Sequence, residues 1–148
     1  MEDNLINKSL DKPKKILLID DELDMLTVNS ALLESHGYEV FLAKTGFEAL
    51  EIVNRNHPDL IILDLMIPGI DGYQICGMLK RDKRYLSIPV VILSARFSEQ
   101  DKKMAKEIGA NDYITKPFEP KTLLSKISSL LDNSRNGQKT LIGQSKLL

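Results

Sequence analysis

A chain of 148 residues, 43% hydrophobic and 28% charged, has the composition of one soluble globular domain and is long enough to bury a proper core. Its formal net charge of −1 gives no global attraction to nucleic acid or anionic membrane, which excludes binding modes that rest on bulk charge. No apolar run nears the roughly 20 residues of a membrane span, and the lone cysteine, Cys76, excludes an internal disulfide framework and fits a reducing compartment.

Residues 1–13 read as a polar leader, with early acids and no apolar core, which is not a signal peptide. The chain is therefore expected in the cytoplasm. Ile16 to Ile19 form an unbroken apolar strand that ends in Asp20 and Asp21. A helix is predicted next, with Leu23, Leu26, Ser30 and Leu33 sharing one face and Gly37 closing it. Tyr38 to Leu42 alternates loosely, as a short edge strand does. Thr45 and Glu48 have capping-box spacing, and Ala49, Leu50, Ile52 and Val53 supply the buried stripe of a second helix.

Leu60 to Leu63 is a second continuous apolar run, ending at Asp64, after which Pro68, Gly69 and Gly72 turn the chain. A helix from about Asp71 to Asp82 follows, burying Ile75, Cys76 and Leu79. Pro89 to Leu93 makes another strand, ending at Ser94. Ser98 and Asp101 again have capping spacing and open a fourth helix with a thin apolar side of Met104, Ala105 and Ile108. Asn111 to Thr115 is a last strand, followed by Lys116 and Pro117. Pro120 suits the first position of a fifth helix, where Leu123, Leu124, Ile127, Leu130 and Leu131 share a face. Residues 132–148 read as a mobile tail.

Strand and helix alternating five times predict an α/β fold: a parallel sheet, helices on both faces, right-handed crossovers. In such a sheet the strand ends share one edge, where open α/β folds place their chemistry. Asp20, Asp21, Asp64, Ser94 and Lys116 would all converge there. Like charges 4 Å apart repel by about 4 kcal/mol per pair at an effective dielectric near 20. Three such carboxylates require cations: Lys116 is one, and a divalent ion is the natural second. Oxygen ligands suit Mg²⁺, which with a lysine would neutralise an incoming phosphoryl group. Asp64 could then act as nucleophile and form an aspartyl phosphate, with Ser94 and Lys116 gripping its oxygens.

The pattern IDDE at 19–22, DLMIPGIDG at 64–72, LSA at 93–95 and DYITKPF at 112–118 resembles the CheY-like receiver domain of two-component response regulators. The resemblance covers about residues 14–131, which sets the expected domain. It implies a doubly wound, flavodoxin-like three-layer sandwich with five parallel strands in the order 2-1-3-4-5. It also implies that Asp64 is the phosphoacceptor, and that Asp20, Asp21, Asp64 and the backbone carbonyl of Met66 hold Mg²⁺, with Mn²⁺ as a substitute. Lys116, followed by a cis bond to Pro117, and Ser94 would serve the phosphoryl group. Ser94 and Tyr113 would form the switch, and Met66 and Arg96 would set how long the phosphoryl group survives. The partners implied are a sensor histidine kinase or phosphotransfer protein and a downstream protein target of unknown identity. A homodimer on activation, through the face of helix four, strand five and helix five, is left open. With no output domain in these residues, the signal is expected to pass by protein contact, without direct binding of nucleic acid or membrane. Such a protein catalyses only its own phosphorylation and dephosphorylation.

Other readings compete. A haloacid-dehalogenase-type phosphatase wants a second aspartate two residues after its nucleophile, where this chain has Met66. A flavodoxin-like nucleotide binder wants a hydroxyl- and glycine-rich loop after strand one, where this chain has acids. A receiver-like adaptor that works without phosphorylation remains the alternative, against which the intact acids and lysine argue. Cys76 and Met104 read as core, His36 and His57 as helix-end and loop residues, and Lys102, Lys103 and Lys106 as a solvated face. Lys126 stands where receivers of winged-helix regulators carry an arginine in their dimer surface.

Overall fold

The computed structural model describes the backbone of residues 12–96 and 98–147 and the side chains of 12–96 and 98–133. Most of the expected polar leader lies outside the described residues. Five strands, β1 (Lys15–Ile19), β2 (Glu39–Ala43), β3 (Leu60–Leu63), β4 (Val90–Ser94) and β5 (Asp112–Thr115), alternate with five helices. These are α1 (Leu23–Ser35), α2 (Gly46–Asn56), α3 (Gly72–Arg81), α4 (Glu99–Glu107) and α5 (Pro120–Leu147). All strand pairs are parallel, and the order across the sheet is β2-β1-β3-β4-β5. The doubly wound, flavodoxin-like order expected from the motifs is the order observed.

The apolar runs of β1, β3 and β4 are buried on both faces, because each successive side chain enters the opposite helix layer. Leu17, Ile19, Ile61 and Leu63 pack with Ala49 and Val53 of α2 and Ile75, Cys76 and Leu79 of α3. Ile16, Leu18, Leu60, Ile62, Val91 and Leu93 pack on the other side with α1 and α5, through Leu26, Leu33, Leu123, Ile127 and Leu131. Fully burying a Leu or Ile side chain is worth about 1.5–3 kcal/mol, so these two layers carry most of the stability. A smaller cluster of Leu65, Ile92 and Ala105, with Tyr73 and Tyr113 against it, seats α4.

Two expectations need correction. Leu23 is 60% exposed; it is the first residue of α1, at the open edge of the sheet, and the buried face is Leu26, Asn29 and Leu33. Met104 is 43% exposed and is not core, since α4 buries only Ala105 and touches the sheet along a narrow line. The last helix runs as continuous backbone from Pro120 to Leu147, through the residue at which the sequence places the end of the domain.

Local signals place the helix ends well. Thr45 accepts from the Glu48 amide, and Ser98 from the Asp101 amide. Gly37 follows the C-cap His36 with φ +87°, a conformation that costs glycine nothing.

Candidate phosphoacceptor site

The parallel register brings the ends of β1, β3, β4 and β5 to one edge. Asp20 follows the last residue of β1, and its amide bonds the Ala43 carbonyl of β2. Asp64 follows β3, and its amide bonds the Ile19 carbonyl of β1, so the two carboxylates are carried by adjacent, hydrogen-bonded strand ends. Asp20 and Asp64 are buried and Asp21 is exposed. One carboxylate oxygen from each of the three lies within 4.8 Å of the others.

Lys116 closes the site from β5, after a backbone bond from its amide to the Ser94 carbonyl. Its ammonium donates to Asp64 Oδ2 at 2.8 Å and to Asp20 Oδ2 at 3.2 Å. The Lys116–Pro117 bond is cis. The other oxygens are fixed by backbone amides: Asp64 Oδ1 accepts from Met66 at 2.9 Å, and Asp20 Oδ1 from Glu22 at 3.0 Å.

Burial pushes the Asp20 carboxyl above the usual carboxylate range, despite the Glu22 amide and the Lys116 charge. Burial alone would pull Lys116 down, but the Asp64 hydrogen bond and the charges of Asp64 and Asp20 outweigh it and hold the ammonium above its ordinary value. Three carboxylates face one ammonium, so the charge of Asp64 adds a smaller upward push to Asp20, and the same acids keep Lys116 protonated. An oxygen-only donor set with excess negative charge, open through Asp21, fits a hard divalent cation.

Ser94 is fully buried at the end of β4, and its Oγ accepts from the Arg96 amide at 3.1 Å. Tyr113 is half-buried and donates from its hydroxyl to the Arg96 carbonyl at 2.5 Å. Burial pushes its phenol above the usual range. Met66 is 58% exposed and, with Asp21, Arg96 and Tyr73, lines a cleft at the mouth of the site.

The site residues expected from the sequence therefore lie at this edge, with Tyr113 bonded to the Arg96 carbonyl and close to Ser94. The remaining cautions also agree. Cys76 is buried, with its thiol pushed up by burial, and His36 and His57 cap helix ends. Lys126 pairs with Asp112 of the same chain at 3.0 Å.

Two further residues at this edge carry no site motif in the sequence. Gly72 reads in sequence only as a turn, yet a Cβ there would stand 2.7 Å from the Leu65 Cα and 2.9 Å from the Asp64 carbonyl oxygen. Tyr73, next in the chain, reaches across to Asp101 of α4. Only the glycine left a signal, by standing directly after the capping acid Asp71.

Residues 16–128 match the family model of the response regulator receiver domain. The alkaline phosphatase synthesis transcriptional regulatory protein PhoP of Bacillus subtilis is 41% identical over 82% of this chain and 50% of its own length. The chain thus spans about half the length of that curated relative. Among solved structures, a CheY-like receiver domain protein from Methanospirillum hungatei is 27% identical with a TM-score of 0.79, over 84% of this chain and 98% of that one. The BeF3-activated N-terminal receiver domain of RstA from Klebsiella pneumoniae is 33% identical with a TM-score of 0.75, over 80% and 98%. No helix among the described residues is long and apolar enough to cross a membrane.

Proposed function

The chain belongs to the response regulator receiver family, and from that premise we propose that Asp64 accepts a phosphoryl group and that Ser94, Tyr113 and α4 report its arrival. The observation that carries this reading is the direct grip of Lys116 on Asp64, in a cluster of three carboxylates whose oxygens lie within 4.8 Å.

Asp20, Asp21, Asp64 and the Met66 carbonyl would hold Mg²⁺, or Mn²⁺ in its place. When bound, the ion neutralises the phosphoryl oxygens and the surplus charge of the acids. The Asp64 carboxylate attacks phosphorus, the new P–O bond forms as the donor's bond to phosphorus breaks, and the donor's imidazole leaves with that electron pair. Lys116 shifts from the carboxylate oxygen to a phosphoryl oxygen. Ser94 Oγ is engaged as an acceptor by the Arg96 amide, which leaves its own proton to give to a second phosphoryl oxygen. Met66 and Arg96, at the mouth of the cleft, govern access of water to the acyl phosphate and so its lifetime.

Charge-assisted hydrogen bonds of this kind are worth roughly 1.5–3 kcal/mol each. Moving a two-state equilibrium from 1:99 to 99:1 needs about 5.5 kcal/mol, which two such bonds reach at the upper end of their range. The movable element is α4, which buries Ala105 alone. The donor is a sensor histidine kinase or phosphotransfer protein in the cytoplasm, and the signal leaves by contact with a protein target, or a second copy, on the α4–β5–α5 face.

Beryllofluoride with Mg²⁺ should shift backbone NMR signals at Ser94, Tyr113 and throughout α4, and should do nothing to Asp64→Asn. Shifts confined to the loop after Asp64 would sink the switch, and an unchanged response in Asp64→Asn would remove its origin.

A further inference from the structure

The first turn of α4 is fastened to α3 by one side chain that the switch above does not use. The hydroxyl of Tyr73 donates to the Asp101 carbonyl at 3.3 Å and lies 3.5 Å from Asp101 Oδ1. One phenolic proton shared between two acceptors at these lengths is a soft contact, made and broken cheaply. Asp101 is the residue whose amide is capped by Ser98, so this contact holds the helix where it begins.

The other end of the connection lies against the phosphoacceptor. Tyr73 follows Gly72, whose amide bonds the Leu65 carbonyl at 3.2 Å. The Gly72 Cα presses so closely on this backbone that an added Cβ would meet the Asp64 carbonyl oxygen at 2.9 Å. A displacement of the backbone at Asp64 and Leu65 therefore has no slack before it reaches Gly72 and Tyr73. Tyr73 also packs against the buried cluster of Leu65, Ile92 and Ala105, so both ends of the link share one small cluster.

We propose that Tyr73 is a positioning residue for the output helix: its hydroxyl latches the first turn of α4 to the backbone that carries Asp64. This route runs beside the one through Ser94 and Tyr113, because Tyr113 holds the Arg96 carbonyl, whereas Tyr73 holds Asp101. The resting position of α4 is set by both phenols, and phosphorylation moves α4 by disturbing both.

The inference rests on Asp64 being the phosphoacceptor, so its test reads the two separately. The full chain and Tyr73→Phe are treated with acetyl phosphate and Mg²⁺ and weighed intact. Amide hydrogen exchange across residues 98–107 is followed with and without beryllofluoride, with α2 as the internal control. Tyr73→Phe should take up one phosphoryl group as the parent does. Its α4 amides should exchange roughly fivefold faster at rest, as loss of one hydrogen bond implies, and the change on beryllofluoride addition should shrink. Normal uptake with parent-like α4 exchange in both states would overturn the latch alone. Failure of the parent itself to take up phosphate would overturn the phosphoacceptor reading and, with it, the signal the latch carries. Should Tyr73→Phe loosen α2 as well, the parent labelled at tyrosine Cζ decides: a Tyr73 signal that moves on beryllofluoride addition supports the latch, and one that stays fixed contradicts it.

Discussion

Asp20 shows how the site trades stability for chemistry. It is buried beside another carboxylate, and burial holds its carboxyl above the ordinary range. The folded chain therefore binds more protons than the unfolded one between the unfolded and folded pKa values of this group. In metal-free protein its contribution to stability grows as pH falls through that window and is lost as pH rises. Lys116 has the same sign in a higher window: its ion pairs stabilise at neutral pH and are lost only as pH rises above the ordinary lysine range. Asp20→Asn should accordingly raise the metal-free melting temperature at pH 7 by a few degrees while weakening Mg²⁺ binding, as calorimetry and titration would read. A lower melting temperature would show that the acid supports the fold. The identities of these residues were legible in the sequence, because each ends an apolar strand. The approach of Lys116 to the acids was legible too, but its division between Asp64 and Asp20 was not, since that depends on where β5 pairs. Nor was the burial of Asn29, a polar residue on the inner face of α1.

At the scale of elements, local chemistry set most boundaries. The strongest stop and start is at α3, where Asp71 accepts from the Gln74 amide and Gln74 reaches back to the Asp71 amide. Asp71→Ala should cost about 1 kcal/mol in urea unfolding; no loss would mean that the packing of Gly72 alone fixes this helix start. Hydrophobic spacing identified every helix yet misjudged Leu23 and Met104, because spacing gives a face and not its depth. Both sit where a helix overhangs the sheet or meets it along a single side chain. The thinness of α4 was legible and is the reason it can move, with Ala105 its only buried side chain. What holds its first turn, Tyr73, could not be read, since the contact joins residues 28 apart in sequence.

For the molecule as a whole, parallel strands in the order β2-β1-β3-β4-β5 gather acids from two strands, a hydroxyl from a third and a lysine from a fourth at one edge. Alternation predicted the parallel sheet, but the order came from the resemblance, because nothing in a single chain's periodicity says which strands are neighbours. Joining β1 and β3 makes the site and leaves the folded domain short of cations. Mg²⁺ at about 100 times its dissociation constant should therefore stabilise the whole domain by ~2.7 kcal/mol. A chelator should reverse this, and Asp64→Asn should blunt it; a melting temperature indifferent to Mg²⁺ would contradict the metal assignment. The central claim concerns Asp64 itself. Incubation with acetyl phosphate and Mg²⁺, followed by intact mass measurement and peptide mapping, should find one acid-stable, base-labile phosphoryl group on Asp64 and none in Asp64→Asn. Uptake unchanged by that substitution, or mapped to another residue, would contradict it.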